Sequence, residues 1–101
     1  MEENKNEQAE LISNFCKALS NPIRVEILQL IAQNKKMMVQ EMIAVIPLAQ
    51  STISEHLRIL KNNQILKVEN IGTKSYYAIK TKTIEKSEKS LKKLLKSILN
   101  G

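Results

Sequence analysis

Residues 50–63 read QSTISEHLRILKNN, and the rest of the chain is best understood from this stretch. Ile53, Leu57 and Leu60 recur at the i, i+4, i+7 spacing of a single helical face. Projected at about 100° per residue, Ser51, Ser54, Glu55, Arg58 and Asn62 fall on the other side. An ordinary surface helix fills that side with long Glu–Lys pairs. Here it begins with short hydroxyl and amide groups and continues to an arginine. Short polar side chains at a helix N-terminus let the backbone approach a DNA major groove and donate to phosphates or base edges. The same residues also suit the plainer task of capping a surface helix. Both readings stand at this level.

Upstream, residues 40–46 have the pattern of a short helix with Met42, Ile43 and Ile46 turned inward, preceded by a short strand over 37–39. Pro47 is expected to stop that helix, because proline disfavours helical geometry in the residue before it. A connection of about three residues then leads into the opening stretch. Residues 40–63 therefore read as a helix-turn-helix, with 50–63 in the position that enters the groove. Before this unit, Asn21 and Pro22 suit the N-cap and first position of a helix over 22–33, with Ile23, Ile27, Leu30 and Ile31 as its buried stripe. A first helix is expected over 6–19, with Leu11, Phe15, Ala18 and Leu19 on one stripe. Its start is acidic: Glu2, Glu3, Glu7 and Glu10 stand against Lys5.

Downstream, the periodicity changes from helical to alternating. Strands over about 65–71 and 75–79, joined at Gly72, form a hairpin over 65–79 directly after the candidate recognition helix. A hairpin in that place is a wing, with Lys67, Thr73 and Lys74 near its tip or flank and within reach of phosphate. Residues 82–99 are helical again, with Ile84, Leu91, Leu94, Leu95 and Ile98 as the apolar stripe. Between residues 80 and 101, seven lysines face two glutamates. The terminal helices 6–19 and 82–99 are expected to pack across a two-fold axis, through Leu11, Phe15, Leu91, Leu94, Leu95 and Ile98. The acidic start of one and the basic surface of the other complement each other. Two other readings stay open. The last helix can pack on its own domain, or it can lie amphipathically on a membrane surface or in a partner's groove.

The totals bound the function. A chain of 101 residues suits one domain, 1–101, with one modest core. An aromatic content of 3% argues against a stacking platform for single strands. The net charge of +6 favours a polyanionic partner. One cysteine allows no internal disulfide framework. No apolar run approaches the roughly 18 residues that span a bilayer. The start MEENKNEQAE is the opposite of a signal peptide, so a cytoplasmic location is expected. No Gly-rich phosphate loop, paired catalytic carboxylates or Cys/His dyad with local context is present, and no enzyme is expected.

Together these pieces resemble the ArsR/SmtB winged-helix repressors. Ala18-Leu19-Ser20-Asn21-Pro22-Ile23-Arg24 resembles that family's AL(A/S)(D/N)PxR segment. The run from Leu48 to Leu60 resembles its LSQSTVSxHLxxL recognition helix, and Ile71 to Tyr77 its GxxxYY wing. The likeness covers about residues 11–80 in one colinear order. It implies a mostly α fold with a small β-hairpin (α+β), a winged helix-turn-helix of order α-α-(β)-α-α-β-β-α. It further implies a bacterial, cytoplasmic homodimer that binds an imperfect palindrome in double-stranded DNA, represses transcription and releases on an inducer. The resemblance places DNA contact on Gln50, Ser51, Thr52, Ser54, Glu55 and Arg58, with the wing on neighbouring phosphate. A winged helix kept as a protein-interaction module is the alternative, and would show large apolar groups on that helix.

Three departures qualify the likeness. Metal-sensing members carry Cys-Val-Cys at the start of the helix before the turn; here the positions read Met38-Val39-Gln40, and neither thioether nor amide replaces thiolate well for a soft metal. A second family site uses Asp and His on the terminal helix, and residues 80–101 contain neither. No metal site and no cofactor are expected, and the sequence identifies no inducer. The second departure is Ala49, where a serine N-cap is usual; its absence costs the helix about 1 kcal/mol unless Ser51 substitutes. The third is Glu55 on the groove-facing side. It either accepts from a cytosine N4 amine or pairs with Arg58 at i+3. His56, at the edge of the buried face, reads as a structural histidine or a DNA contact. Cys16 reads as a small buried hydrophobe, with a redox role requiring the Cys16 of a second subunit. Met37, Met38 and Met42 read as adaptable core packing rather than a copper site.

Overall fold

The computed structural model describes residues 5–101, with side chains from Glu7 onward. Glu2 and Glu3, part of the acidic start, lie outside the described residues. The elements are α1 (Lys5–Ala18), α2 (Pro22–Asn34), β1 (Lys36–Met37), α3 (Val39–Ile43), α4 (Gln50–Asn62), β2 (Leu66–Ile71), β3 (Lys74–Ile79) and α5 (Thr81–Asn100). The strands form an antiparallel sheet in the order β1-β3-β2, which makes this an α+β winged helix-turn-helix.

Local chemistry sets most of the boundaries. Asn21 accepts a hydrogen bond from the Ile23 N–H at 2.8 Å, and Pro22 occupies the first turn of α2, where a missing N–H costs nothing. The N–H of Met38 donates to Glu41 Oε1 at 2.8 Å, closing the start of α3. At the end of α4 the chain turns through Gln64, which has a φ of 63°. The Ile65 N–H donates to the Leu60 carbonyl at 2.9 Å and the Gln64 N–H to that of Lys61 at 3.0 Å, the two bonds of a Schellman motif. The apolar contact that accompanies such a motif is supplied by Leu60 and Ile65, both without accessible surface. This explains why Ile65 and Leu66 are buried in succession: Ile65 completes the helix cap, whereas Leu66 begins the strand.

The wing turns at Gly72-Thr73 between the paired Ile71 and Lys74. Gly72 has a φ of +63° while Thr73 is not left-handed, the sign pattern of a two-residue II′ turn that matches strand twist. Pairing places Val68, Tyr77 and Met37 on the core face of the sheet and Lys67, Ala78 and Lys36 on the outer face. The Lys36 ammonium sits 5.3 Å from the centre of the Tyr76 ring on that outer face.

The core is built from Ala18, Ile27, Ile31, Met37, Met42, Ile46, Ile53, Leu57, Leu60, Ile65 and Leu66, with Phe15, Tyr77 and Ile84 packed against it. Each fully buried aliphatic chain contributes about 1.5–3 kcal/mol relative to exposure.

Several expectations need correction. The third helix ends at Ile43 rather than 46, and the connection to α4 occupies residues 44–49 rather than about three residues. Pro47 is not what ends the helix. It sits at the centre of a tight turn in which the Leu48 N–H donates to the Ile46 carbonyl at 2.8 Å. The first strand covers Lys36–Met37 rather than 37–39, because extended Met38 caps α3 and Val39 is already helical. The terminal helices do not depend on a second copy for all of their packing. α1 and α5 touch each other within the chain, Phe15 and Ile84 reach the core, and Ser87 is buried. Leu11 and Leu91 are half-buried, while Leu94, Leu95, Ile98 and Leu99 stay exposed. Among the described residues no helix is long and apolar enough to cross a membrane.

A non-glycine residue in the left-handed region costs about 1–2 kcal/mol. Gln64→Gly is therefore expected to stabilise the protein by about 1 kcal/mol. Thermal denaturation would show the midpoint rising by roughly 4–8 °C per kcal/mol, and an unchanged or lower midpoint would contradict the strain at this position.

Candidate nucleic-acid interface

The buried residues of α4 are Ile53, Leu57 and Leu60, and this anchoring fixes which side faces outward. Gln50, Ser51, Thr52, Ser54, Glu55 and Arg58 are all exposed. The N-cap position is held by Ala49 in an extended conformation with no side-chain hydrogen bond. Neither Ser51 nor Thr52 takes over as a cap, so their hydroxyls remain available on the surface among the described residues.

Arg58 and Glu55 form a forked pair one turn apart. Arg58 Nε donates to Glu55 Oε2 at 3.0 Å and to Oε1 at 3.2 Å, and a terminal nitrogen donates to Oε1. The hydrogen bond from Arg58 holds the Glu55 carboxyl below its usual range, and the same bond raises the Arg58 guanidinium. Both groups are solvated, so the pair orients the arginine more than it stabilises the fold.

Behind this surface, Arg24 of the ALSNPIR segment ties three elements together. Its Nε donates to the Ala18 carbonyl and a terminal nitrogen to the Lys17 carbonyl at 3.3 Å, at the negative end of α1. The other terminal nitrogen lies 3.3 Å from His56 Nδ1. Arginine has no acceptor, so Nδ1 must accept and the histidine acts as a bracket between α2 and α4. His56 is half-buried in this role. In the sequence Arg24 stands out only as the last residue of the ALSNPIR segment, and its place two residues after the helix-opening proline is the available signal for this role.

The wing and the recognition helix meet at one end. Thr73, Lys74, Ser75 and Tyr77 line an open groove of about 530 Å³ together with Gln50, with Met38 at the cap of α3, and with Val39 and Gln40 in its first turn. Thr73 and Lys74 are thus brought to the N-terminus of α4. Lys67 is not. It lies four residues back from the turn pair, about 13 Å along the strand, and its ammonium is 3.4 Å from Glu69. Gln40, noted in the sequence only as a replaced metal ligand, joins the groove.

Cys16 is exposed, not a buried hydrophobe. It lines a mostly apolar groove between α1 and α5 with Ile12, Leu94 and Ser97, because α1 turns its Phe15–Ala18 side, not its Cys16 side, to the core. Met37 and Met42 are buried in the core and Met38 is half-buried. Among the described residues, no three His, Cys, Asp or Glu side chains converge.

Because the Glu55 pKa is depressed, whatever the ion pair contributes is present above the ordinary carboxylate value near 4.5 and is lost as pH falls through the lowered one. The pair is therefore intact from about pH 5 upward. Carboxyl-carbon NMR titration should place the Glu55 midpoint below 4.5, and Arg58→Ala should return it toward that value. A wild-type midpoint at or above the ordinary value would refute the pairing in solution.

The sequence profile described as bacterial regulatory protein, arsR family, matches residues 21–68. An uncharacterized HTH-type transcriptional regulator of Methanocaldococcus jannaschii is 40% identical over 73 residues, covering 72% of this chain and 82% of the relative. The arsenical resistance operon repressor of Bacillus subtilis is 34% identical over 77 residues, covering 76% and 73%. An ArsR-like transcriptional regulator from Rhodococcus sp. RHA1 superposes with a TM-score of 0.81 over 91% of this chain and 86% of that one. At 17% identity that likeness speaks to the fold alone.

Proposed function

The chain belongs to the arsR family of bacterial regulatory proteins, and from that premise we propose that it is a dimeric, sequence-specific DNA-binding transcriptional repressor. The observation that carries this reading is the exposed short-polar face of α4, held outward by Ile53, Leu57 and Leu60. Gln50, Ser51, Thr52 and Ser54 approach base edges at the N-terminal end of that helix, and Thr73 and Lys74 of the wing meet the adjacent phosphate. Lys67 contributes charge to the wing from further back.

Glu55 gives Arg58 a default partner. A base that replaces the carboxylate must offer acceptors to Arg58, and Glu55 in turn can accept from a cytosine N4 amine. Exchange of this kind costs little at a correct site and leaves charges mismatched at an incorrect one, which is how a carboxylate near phosphate adds discrimination.

The dimer is assigned to the terminal helices. Leu94, Leu95 and Ile98 form an exposed apolar band on α5, continued inward by half-buried Leu91 and bordered on α1 by Ile12 and Cys16, with Leu11 and Phe15 as the further α1 residues of the proposed interface. A two-fold assembly through this band supports an imperfect palindromic operator, and action on promoter DNA is the ground for a cytoplasmic protein. Enzymatic activity is not part of a regulator of this family. Met38, Val39 and Gln40 supply no thiolate, so soft-metal sensing at the start of α3 is excluded from the proposal.

The interaction-module alternative needs large apolar groups on α4. Among the described residues, Val25, Val45, Ile71 and four residues of α5 are the exposed large hydrophobics, and none of them is on α4.

An electrophoretic shift with the duplex upstream of the protein's own gene is the direct test. Affinity should fall steeply with salt, and Arg58→Ala should cost about 1–3 kcal/mol if it reads a base. No salt-dependent binding to any duplex removes the proposal. For the assembly, Ile98→Glu should convert a dimer to a monomer in sedimentation, with helicity unchanged; a wild-type monomer would refute the two-fold arrangement.

A further inference from the structure

We propose that the recognition surface extends past Arg58 into a second, phosphate-binding groove formed by Asn14, Lys17, Arg24 and Asn62. This inference rests on the DNA-binding reading above and assigns part of the duplex backbone to residues outside the recognition helix and wing. Asn14 and Lys17 of α1, Arg24 of α2, and Arg58 and Asn62 of α4 line one open groove of about 320 Å³. Three cations face it, and no carboxylate lines it.

The groups differ in how they are held. Arg24 is fixed by the carbonyls of Ala18 and Lys17 and by His56, so its charge stands in place before any ligand arrives. Lys17 forms no ion pair among the described residues, and the side-chain amides of Asn14 and Asn62 have no hydrogen-bond partner there. All three are exposed. A fixed guanidinium with three unengaged donors around it suits an oxyanion with several acceptor oxygens, as a backbone phosphate presents.

Its place in the fold argues for DNA as the source of that phosphate. Ser51, Glu55, Arg58 and Asn62 follow one another at steps of three or four residues along one line of α4. From Ser51 to Asn62 that line rises about 16 Å, whereas the major groove is about 12 Å wide. A helix seated by its N-terminal residues therefore carries its far end over the strand that bounds the groove. Neither Asn14 nor Lys17 lines the groove in which Ala9, Ile12 and Cys16 meet Ser90, Leu94 and Ser97, the part of α5 that carries the apolar band. The groove thus stays open when the α5 band is covered by a second copy.

The test uses the full chain and a duplex that the wild-type protein selects from a random pool, beside a scrambled duplex of equal length. Lys17→Ala should weaken binding several-fold on both duplexes alike, and should lower the slope of log affinity against log salt by about 1 for each groove. Lys17→Arg should restore both. Lys89→Ala, on the side of α5 opposite its apolar stripe, should change neither, and thermal midpoints should match throughout. Wild-type affinity and salt slope in Lys17→Ala would overturn the proposal while leaving the DNA reading intact. Loss confined to the selected duplex would also overturn it, because that is the mark of a base contact. A wild-type protein that selects no duplex would defeat the DNA reading itself.

Discussion

Ile53, Leu57 and Leu60 have no accessible surface, and their burial sets the rotation of α4 about its own axis. Together they contribute several kcal/mol, at about 1.5–3 kcal/mol each, a large part of the stability of a domain this small. Turning the helix by a quarter would expose them and bury Ser54 or Arg58 without partners. The direction in which the hydroxyl and amide groups point is thus enforced by the opposite face. The Schellman motif at Gln64 then adds the Leu60–Ile65 contact and sends the chain directly into β2, so the same anchor also aims the wing.

Polar bonds refine what burial sets. Arg24 neutralises the exposed carbonyls at the end of α1 and reaches His56 on α4, coupling the helix that precedes the helix-turn-helix to the one that follows the turn. Glu55 and Arg58 perform the opposite service, because their pair is solvated and exchangeable. The two arginines differ in how many groups hold them: Arg24 is fixed by two carbonyls of α1 and a histidine of α4, whereas Arg58 has one solvated carboxylate that competes with water on nearly equal terms.

The terminal helices divide one apolar stripe between two tasks. Near its start, α5 presents Ile84 to the core and Ser87 to the protein interior, and the Lys80 N–H is tied to the Ile65 carbonyl at 2.8 Å. Further along, the exposure of Leu94, Leu95, Ile98 and Leu99 rises from 39% to 85%. A helix that leaves its own domain in this graded way carries its remaining apolar surface outward as a band, and Cys16 and Ile12 of α1 border it.

The sequence by itself determined the elements. Period-3.6 patterns marked the helices, Asn21-Pro22 marked a start, and Gly72 marked the wing turn. These features are local, since each depends on a few neighbouring residues and on backbone sterics, so they are legible without coordinates. The exposed face of α4 was legible for the same reason: an amphipathic pattern names its own inner and outer sides. What only the tertiary structure decided depends on groups distant in the chain. The short strand expected near 37–39 is set at Lys36–Met37 by its pairing with β3, Cys16 is exposed because α1 turns another side to the core, and Lys67 falls away from the wing tip because pairing fixes its register. Arg24 meets His56 across 32 positions of sequence, and Asn14, Lys17 and Asn62 share one groove. No sequence period records such meetings, because they arise from the packing angles of helices whose contacting faces are set by shape and volume.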